Sequence, residues 1–359
     1  MVKERKDIMG ILSVGRMSGI SNTCRLRTEA LKSIADTVDV INSEEKPITL
    51  WYKIAYHLFL YGLPVHLPDI DNANNKIISC IRNKQYDIIW IDKGITINPS
   101  TLKTIKKIQP ETVIVSYSPD NMAKRHNQSQ NYLECMNLYD MHFTTKSYIL
   151  EDMKSLGAKQ VFFVNKSYEE SFHYPRNITE EDVKRLGEDV GFVGAWEKER
   201  MDSVLFLSRN GVKVRVFGTK EWQQCKNDNP CLTIEDHGLY NEDYAKSFRC
   251  FKISLCFLRK MNLDQQTSRT MEIPACGGFM LAERTKEHMQ LFKEGLEAEF
   301  FSDNDELLRK CRYYLEHEEE RMKIAEAGTI RCKKSGYSNV DTLRSLVDKA
   351  MKLKMQRGK

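Results

Sequence analysis

Short apolar, β-branched runs alternate with helical stretches along most of this 359-residue chain, and that alternation leaves few folds open. Six runs come first, at residues 8–14, 38–41, 87–91, 112–117, 141–144 and 161–164. Each has the composition of a strand buried on both faces of a parallel sheet. Between them, residues 25–35, 75–83 and 99–108 have helical spacing. Parallel neighbours need a crossover, and a helix supplies it, so this order predicts a doubly wound α/β domain. A second series follows at 190–193, 212–217, 253–257, 279–282 and 298–301. The polar stretch 165–188, which carries Pro175, separates the two series and reads as a hinge. The length suits two Rossmann-like domains, residues 1–170 and 185–340, followed by a helical tail over 341–359.

Much of the polar chemistry of the second series is gathered in residues 264–283, DQQTSRTMEIPACGGFMLAE. Two carboxylates, Asp264 and Glu272, stand there with seven residues between them. Asp264 falls in a loop after an apolar strand, and Glu272 in a short helix that stops at Gly277-Gly278. Thr267 and Ser268 sit where that helix should begin, with Arg269 in its first turn. A helix N-terminus bears unpaired N–H groups and roughly half a positive charge, so it can hold a phosphate. A carboxylate further along can accept two ribose hydroxyls, and one in the loop can hold hydroxyls of a sugar. A sugar-nucleotide is the ligand that matches this set of groups.

The same segment resembles the signature of GT-B glycosyltransferases related to family 4 (glycosyl transferases group 1), and among them the spore-maturation CgeB-like group. In that family two acidic residues stand with seven residues between them, and a small-residue helix with a glycine turn follows the second. Residues 292–332, FKEGLEAEFFSDNDELLRKCRYYLEHEEERMKIAEAGTIRC, also resemble the group. The likeness covers 185–340 well and the N-terminal half in outline. It implies a GT-B fold, two Rossmann-like doubly wound domains facing across a cleft, with the final helix packing back towards the first domain. It also implies transfer of a sugar from a nucleotide-diphosphate donor, UDP by default, to a hydroxyl acceptor on a glycan, a lipid-linked molecule or similar. The nucleotide-sugar is then a substrate, and no cofactor or tightly bound metal is expected.

Carried over residue by residue, the resemblance assigns Glu272 to the ribose. Asp264 replaces the usual first Glu, one methylene shorter, and is assigned to the donor sugar. The first strand of the second series ends at Gly194, and Lys198 and Arg200 after it match the basic pair that neutralises the diphosphate. Arg259, Lys260 and Arg269 are rivals for that role. Trp222, just after Gly218 at another strand end, is the candidate to stack on the base; a packing role is the alternative.

In the N-terminal half the first strand runs into Gly15-Arg16 and then Gly19. The glycines let backbone approach a ligand, and Arg16 is placed to reach a phosphate or acceptor; a plain strand-to-helix turn is the other reading. This is not GxGxxG, so a nicotinamide site is not expected. Asp120 follows a strand C-terminus in Ser118-Pro119-Asp120 and is the first candidate for a general base if the reaction inverts the anomeric centre. Asp92 is the second. Under retention the leaving phosphate takes the proton and Asp120 orients the hydroxyl. Asp69-Ile70-Asp71 forms a DxD triplet, but it precedes a helix, and Asp71 reads as a cap in preference to a metal ligand.

Net charge is only +5, which is no footprint of a dedicated nucleic-acid binder. A phage-type DNA-modifying glycosyltransferase and a catalytically silent sugar-nucleotide or glycan-binding protein remain as alternatives. Ten cysteines form no CxxC pair and no histidines cluster at metal-ligand spacing, as in a reduced, cytoplasmic protein. The N-terminus leads into a strand and does not read as a signal peptide. Residues 51–67, WYKIAYHLFLYGLPVHL, are too short to span a bilayer. They read as a packed helix, the lining of an acceptor groove, or a peripheral contact with the inner face of a membrane.

Overall fold

The computed structural model describes residues 8–19, 22–43 and 49–358. The segment 1–7, read above as the lead into a strand, lies outside the described residues. The chain divides into two compact units. Unit 1 runs to Asn165 and resumes at Asn339, and unit 2 spans Lys166–Ser338.

Unit 1 opens with β1 (Gly10–Gly15), α1 (Thr23–Ile34), β2 (Thr37–Asn42), α2 (Leu50–Leu60) and α3 (Ala73–Asn83). It continues through β3 (Ile88–Asp92), α4 (Pro99–Ile108), β4 (Val113–Ser118) and α5 (Gln130–Cys135). β5 (Met141–Thr144), α6 (Leu150–Ser155) and β6 (Val161–Phe163) complete its first part. Unit 2 begins with α7 (Glu180–Leu186), β7 (Glu188–Gly194), α8 (Lys198–Arg209), β8 (Val214–Gly218) and β9 (Leu232–Ile234). Next come α9 (Asn241–Cys250), β10 (Phe251–Cys256), α10 (Ser268–Ala275), β11 (Met280–Glu283) and α11 (Lys286–Leu291). β12 (Glu299–Phe301), α12 (Asn304–Glu316) and α13 (Glu318–Lys334) close the unit, and α14 (Asn339–Arg357) returns to unit 1.

Each unit holds one six-stranded, wholly parallel sheet, ordered β2-β1-β3-β4-β5-β6 in unit 1 and β12-β11-β10-β7-β8-β9 in unit 2. Read from β9, the second sheet has the Rossmann order 3-2-1-4-5-6. The direction of winding reverses between β1 and β3 in one sheet and between β7 and β10 in the other. Helices leave opposite faces at those points and a crevice opens at the strand C-termini, which is where such sheets bind ligands.

Residues alternate faces along a strand. In β3, Ile88 and Trp90 join α1 and α14 in one core layer, while Ile89 and Ile91 join α3 and α4 in the other. Leu343, Leu346, Val347 and Ala350 of α14 are buried in the first layer. Lys354 pairs with Asp87, and Arg357 with Asp140 at 2.6 Å, so the last turn is tied to the same unit.

Two sequence readings need correction. The stretch 165–188 is not merely a hinge: Glu180–Leu186 is helical, with Asp182 N–H on Thr179 Oγ1 (3.1 Å) and Thr179 N–H on Asp182 Oδ2 (3.2 Å) closing a capping box. The edge strand β9 was also missed. It has three residues and its middle one, Thr233, is exposed, so it leaves almost no apolar run to read.

Candidate active site

At the reversal point of the unit 2 sheet two arginines converge on Phe192. Arg269 comes from the first turn of α10 and Arg200 from the first turn of α8, with their guanidinium carbons 5.7 and 5.8 Å from the ring centroid. Arg269 Nε donates to the carbonyl of Val193. Its Nη2 fills the room above Gly194, where a Cβ would stand only 2.8 Å away. Arg200 is buried; its Nε donates to Leu258 O at 3.2 Å and its Nη1 to Ala195 O at 2.9 Å. Its Nη2 is buried with no hydrogen bond, and Glu197 Oε1 stands 3.8 Å off. Burial lowers the proton affinity of Arg200, Glu197 opposes this, and the neighbouring Arg269 and Arg259 add to the lowering. A buried donor left without a hydrogen bond costs about 1–3 kcal/mol. An anion seated there would remove that cost.

α10 builds the rest of the site. Thr267 is its N-cap and Thr270 Oγ1 accepts the Thr267 N–H at 3.0 Å. Beneath them His288 is buried as a neutral ring: Nδ1–H donates to Glu283 O at 2.6 Å and Nε2 faces the Thr270 hydroxyl at 2.8 Å. Burial pushes its pKa down to about 4. The helix stops where Gly277 takes φ +85°, a conformation a side chain would strain.

Glu272 points from the second turn of α10 with its side chain 12% exposed. Tyr244 of α9 donates its hydroxyl to Glu272 Oε2. Burial, reinforced by the Glu272 charge, raises the Tyr244 pKa well above its ordinary value, so the phenol keeps its proton. On the other side His173 Nε2 lies 3.7 Å from Oε1. Glu169 N–H donates to His173 Nδ1 at 3.0 Å, which fixes the ring proton on Nε2, facing the carboxylate. Burial lowers the His173 pKa as well. A carboxylate offers about four lone-pair sites. Tyr244 takes one and orients the group; the others can accept hydroxyls.

The remaining assignments to unit 2 fare differently. Asp264 is half-buried in the loop after β10, where Leu263 has φ +52° and Asp264 N–H donates to Arg259 O at 3.1 Å. Ser268 is half-exposed at the start of α10, while Thr267 is buried as the cap and is not a surface contact. Lys198 faces solvent and pairs with Asp202 at 2.5 Å; Arg200, two residues on, is the one held inside. Arg259 and Lys260 hold Glu197 and Glu283, respectively. Trp222 is not available to a base: it is fully buried in the core beside Phe192, and its indole N–H donates to Gly194 O at 3.0 Å. Sequence reasoning missed Tyr244 and His173, which lie 28 and 99 residues before Glu272 and carry no local pattern.

Unit 1 has its own pocket of 430 Å³ at the β1/β3 reversal, lined in part by Arg16, Ser18, Arg27, Asp92, Lys93 and Pro119. Gly15 ends β1 where a Cβ would strike Cys24 Sγ at 2.5 Å, so α1 starts close against the strand. Arg16 is exposed, with Nε on Ser18 Oγ at 3.2 Å. Asp92, the second candidate base, is buried and committed. Arg27 grips both its oxygens and lies 4.3 Å over the Tyr117 ring, and Trp90 Nε1 donates to Oδ2 at 3.3 Å. Asp120 is about one-third exposed, with Lys93 Nζ 3.1 Å from Oδ2. The DxD triplet serves α3, though through a different residue than expected: Asp69, not Asp71, accepts the N–H groups of Ala73 (2.8 Å) and Asn74 (2.7 Å). Among the described residues, Glu235, Asp236 and His237 form a group close enough to share a cation, with two of the three exposed.

The family model described as Glycosyl transferase-like matches residues 199–348. No curated protein matches the chain. Among solved structures, Anabaena HepE in complex with UDP-glucose aligns at TM-score 0.64 and 12% identity, over 95% of this chain and 99% of that one. A glycosyltransferase from Rickettsia africae gives 0.63 and 12%, over 97% and 99%. Sucrose-phosphate synthase from Thermosynechococcus elongatus gives 0.64 and 10%, over 95% and 98%. Each unit has the Rossmann-like fold of these structures, and the segment matched by the glycosyl transferase-like family model carries Arg200, Arg269 and Glu272.

Proposed function

We propose that the protein transfers a sugar from a nucleoside-diphosphate donor to a hydroxyl acceptor, with unit 2 holding the donor. The observation that carries this reading is the buried Nη2 of Arg200 beside Arg269, which makes no hydrogen bond and has the Glu197 carboxylate only at 3.8 Å, at the strand ends where the unit 2 sheet reverses. Two guanidinium groups there would take the diphosphate, aided by the start of α10. Glu272, oriented by Tyr244, would accept the ribose hydroxyls, and Asp264 the hydroxyls of the sugar. That HepE was solved with UDP-glucose supports UDP-sugars as the first donors to try.

In the reaction the bond from the anomeric carbon to the diphosphate oxygen breaks and its electron pair stays on the diphosphate. Arg200 and Arg269 stabilise the charge that develops there, the part a divalent cation plays elsewhere. A new bond forms from the acceptor oxygen to the same carbon, and the hydroxyl proton leaves. Asp120 of unit 1 is the group proposed to accept it under inversion; the departing phosphate accepts it under retention. Unit 1, with Arg16 and Lys93 beside its pocket, is assigned the acceptor.

A thermal-shift and turnover screen against UDP-, GDP-, dTDP- and CMP-sugars, with and without EDTA, tests this. One diphosphate donor should raise the melting temperature and be consumed, with turnover unchanged by the chelator. No shift and no consumption with any of them would end the reading.

A further inference from the structure

The outer face of α2 is apolar and bare. Tyr52, Ala55 and Phe59 turn inward and are buried. At about 100° per residue, Leu50, Trp51, Ile54, Leu58 and Tyr61 fall in a single arc beside the buried one and are all exposed, Trp51 by 70% and Tyr61 by 75%. Leu63, past the turn at Gly62, extends the patch. A helix with apolar residues on both faces ordinarily lies within a core. Here one face is in the core and the other meets solvent, and a contiguous exposed patch of this kind marks an interaction surface.

Charge identifies the occupant. Lys53 and His57 lie along one edge of the arc and are exposed. Arg125 packs beside Gly62, where an added Cβ would meet Arg125 Cβ at 3.1 Å, and Lys124 next to it is exposed. No Asp or Glu occurs from residue 49 to 68. The eleven residues of α2 span about 16 Å, and among the described residues no helix is long and apolar enough to cross a membrane. A short helix with Leu, Ile and Trp on one arc, a cationic edge and aromatic rings at both ends has the composition of one lying in a bilayer interface. A second copy of the chain fits less well, because a two-fold contact through this face would bring the same cations together.

We propose that the outer face of α2 docks unit 1 on a lipid surface bearing anionic headgroups. The inference stands independently of the donor reading above. Flotation of the full chain with vesicles of phosphatidylcholine alone, or of phosphatidylcholine mixed with phosphatidylglycerol, tests it. The protein should float with the anionic vesicles, less as salt rises, and weakly with the neutral ones. The double variant Trp51→Glu, Ile54→Glu should lose at least about tenfold in lipid affinity with an unchanged melting temperature, since neither side chain is buried. Lys53→Glu should weaken binding and flatten its salt dependence. Absence of flotation overturns the proposal. So does a double variant that floats like the wild type, or a dimer in light scattering that this variant dissolves.

Discussion

Nη2 of Arg269 occupies the room that Gly194 leaves empty, 2.8 Å from where a Cβ would sit. A Cβ there would also stand 2.7 Å from Phe192 Cζ, so the residue that closes β7 is held small by the ring and the guanidinium together. Gly194→Ala should push the guanidinium off Phe192 and lower kcat/KM for the donor by about tenfold or more, with about 1–3 kcal/mol of overpacking cost to stability. Donor kinetics and a urea melt on the same preparation check both figures.

Tyr244 orients Glu272 without being a proposed contact of the nucleotide. Tyr244→Phe removes one hydrogen bond to a charged acceptor, a bond worth about 1.5–3 kcal/mol net. Part of that returns as water reaches the carboxylate, so nucleotide Kd should rise about three- to tenfold. A smaller change than Glu272→Ala, with retained turnover at saturating donor, distinguishes a positioning role from a catalytic one.

Acid should loosen the start of α10. His288 has a folded pKa of about 4 against an ordinary 6.5, because burial disfavours its charged form. The unfolded chain therefore takes up a proton first as pH falls. The stabilisation is complete above about 6.5 and is lost progressively down to about 4, by on the order of 3 kcal/mol. Protonation would also place a positive charge beneath the helix start and turn Nε2 from acceptor to donor opposite Thr270. Denaturant melts between pH 7 and pH 4 should show wild type losing on the order of 3 kcal/mol more than His288→Gln. His142, buried in unit 1 and also lowered to about 4, contributes a similar slope to both proteins.

α14 is part of unit 1 although it is last in the chain. Leu343→Ala, in the layer it shares with α1 and the sheet, should cost about 2–5 kcal/mol. Ending the chain at Ser338 would bare that whole layer and remove the Lys354–Asp87 and Arg357–Asp140 pairs. We expect the truncated protein to be insoluble or to melt without a cooperative transition, measured by solubility on expression and by circular dichroism.

The strands were legible because buried parallel strands are written as short runs rich in apolar and β-branched residues, and the start of α10 because Thr, Ser and a glycine stop mark a helix directly. Side-chain direction was not. Trp222 follows a strand end where a base-stacking ring is plausible, yet its indole turns inward to Gly194 O. Lys198 and Arg200 are equivalent in sequence, but two residues on a helix differ by about 200°, so one faces water and the other the core. Asp69 reaches across four residues to cap α3, and nothing in DxD says which carboxylate will do so. Tyr244 and His173 meet Glu272 only through the tertiary fold.

The central claim is that Arg200 and Glu272 grip the two ends of a nucleoside diphosphate. Titration calorimetry of UDP, GDP and dTDP against wild type, Arg200→Met and Glu272→Ala tests it most directly. We predict that one diphosphate binds the wild type, and that each variant weakens it by about tenfold to a hundredfold, or 1.4–2.8 kcal/mol, while the melting temperature without ligand changes little for Glu272→Ala. An unchanged Kd in both variants would contradict the account.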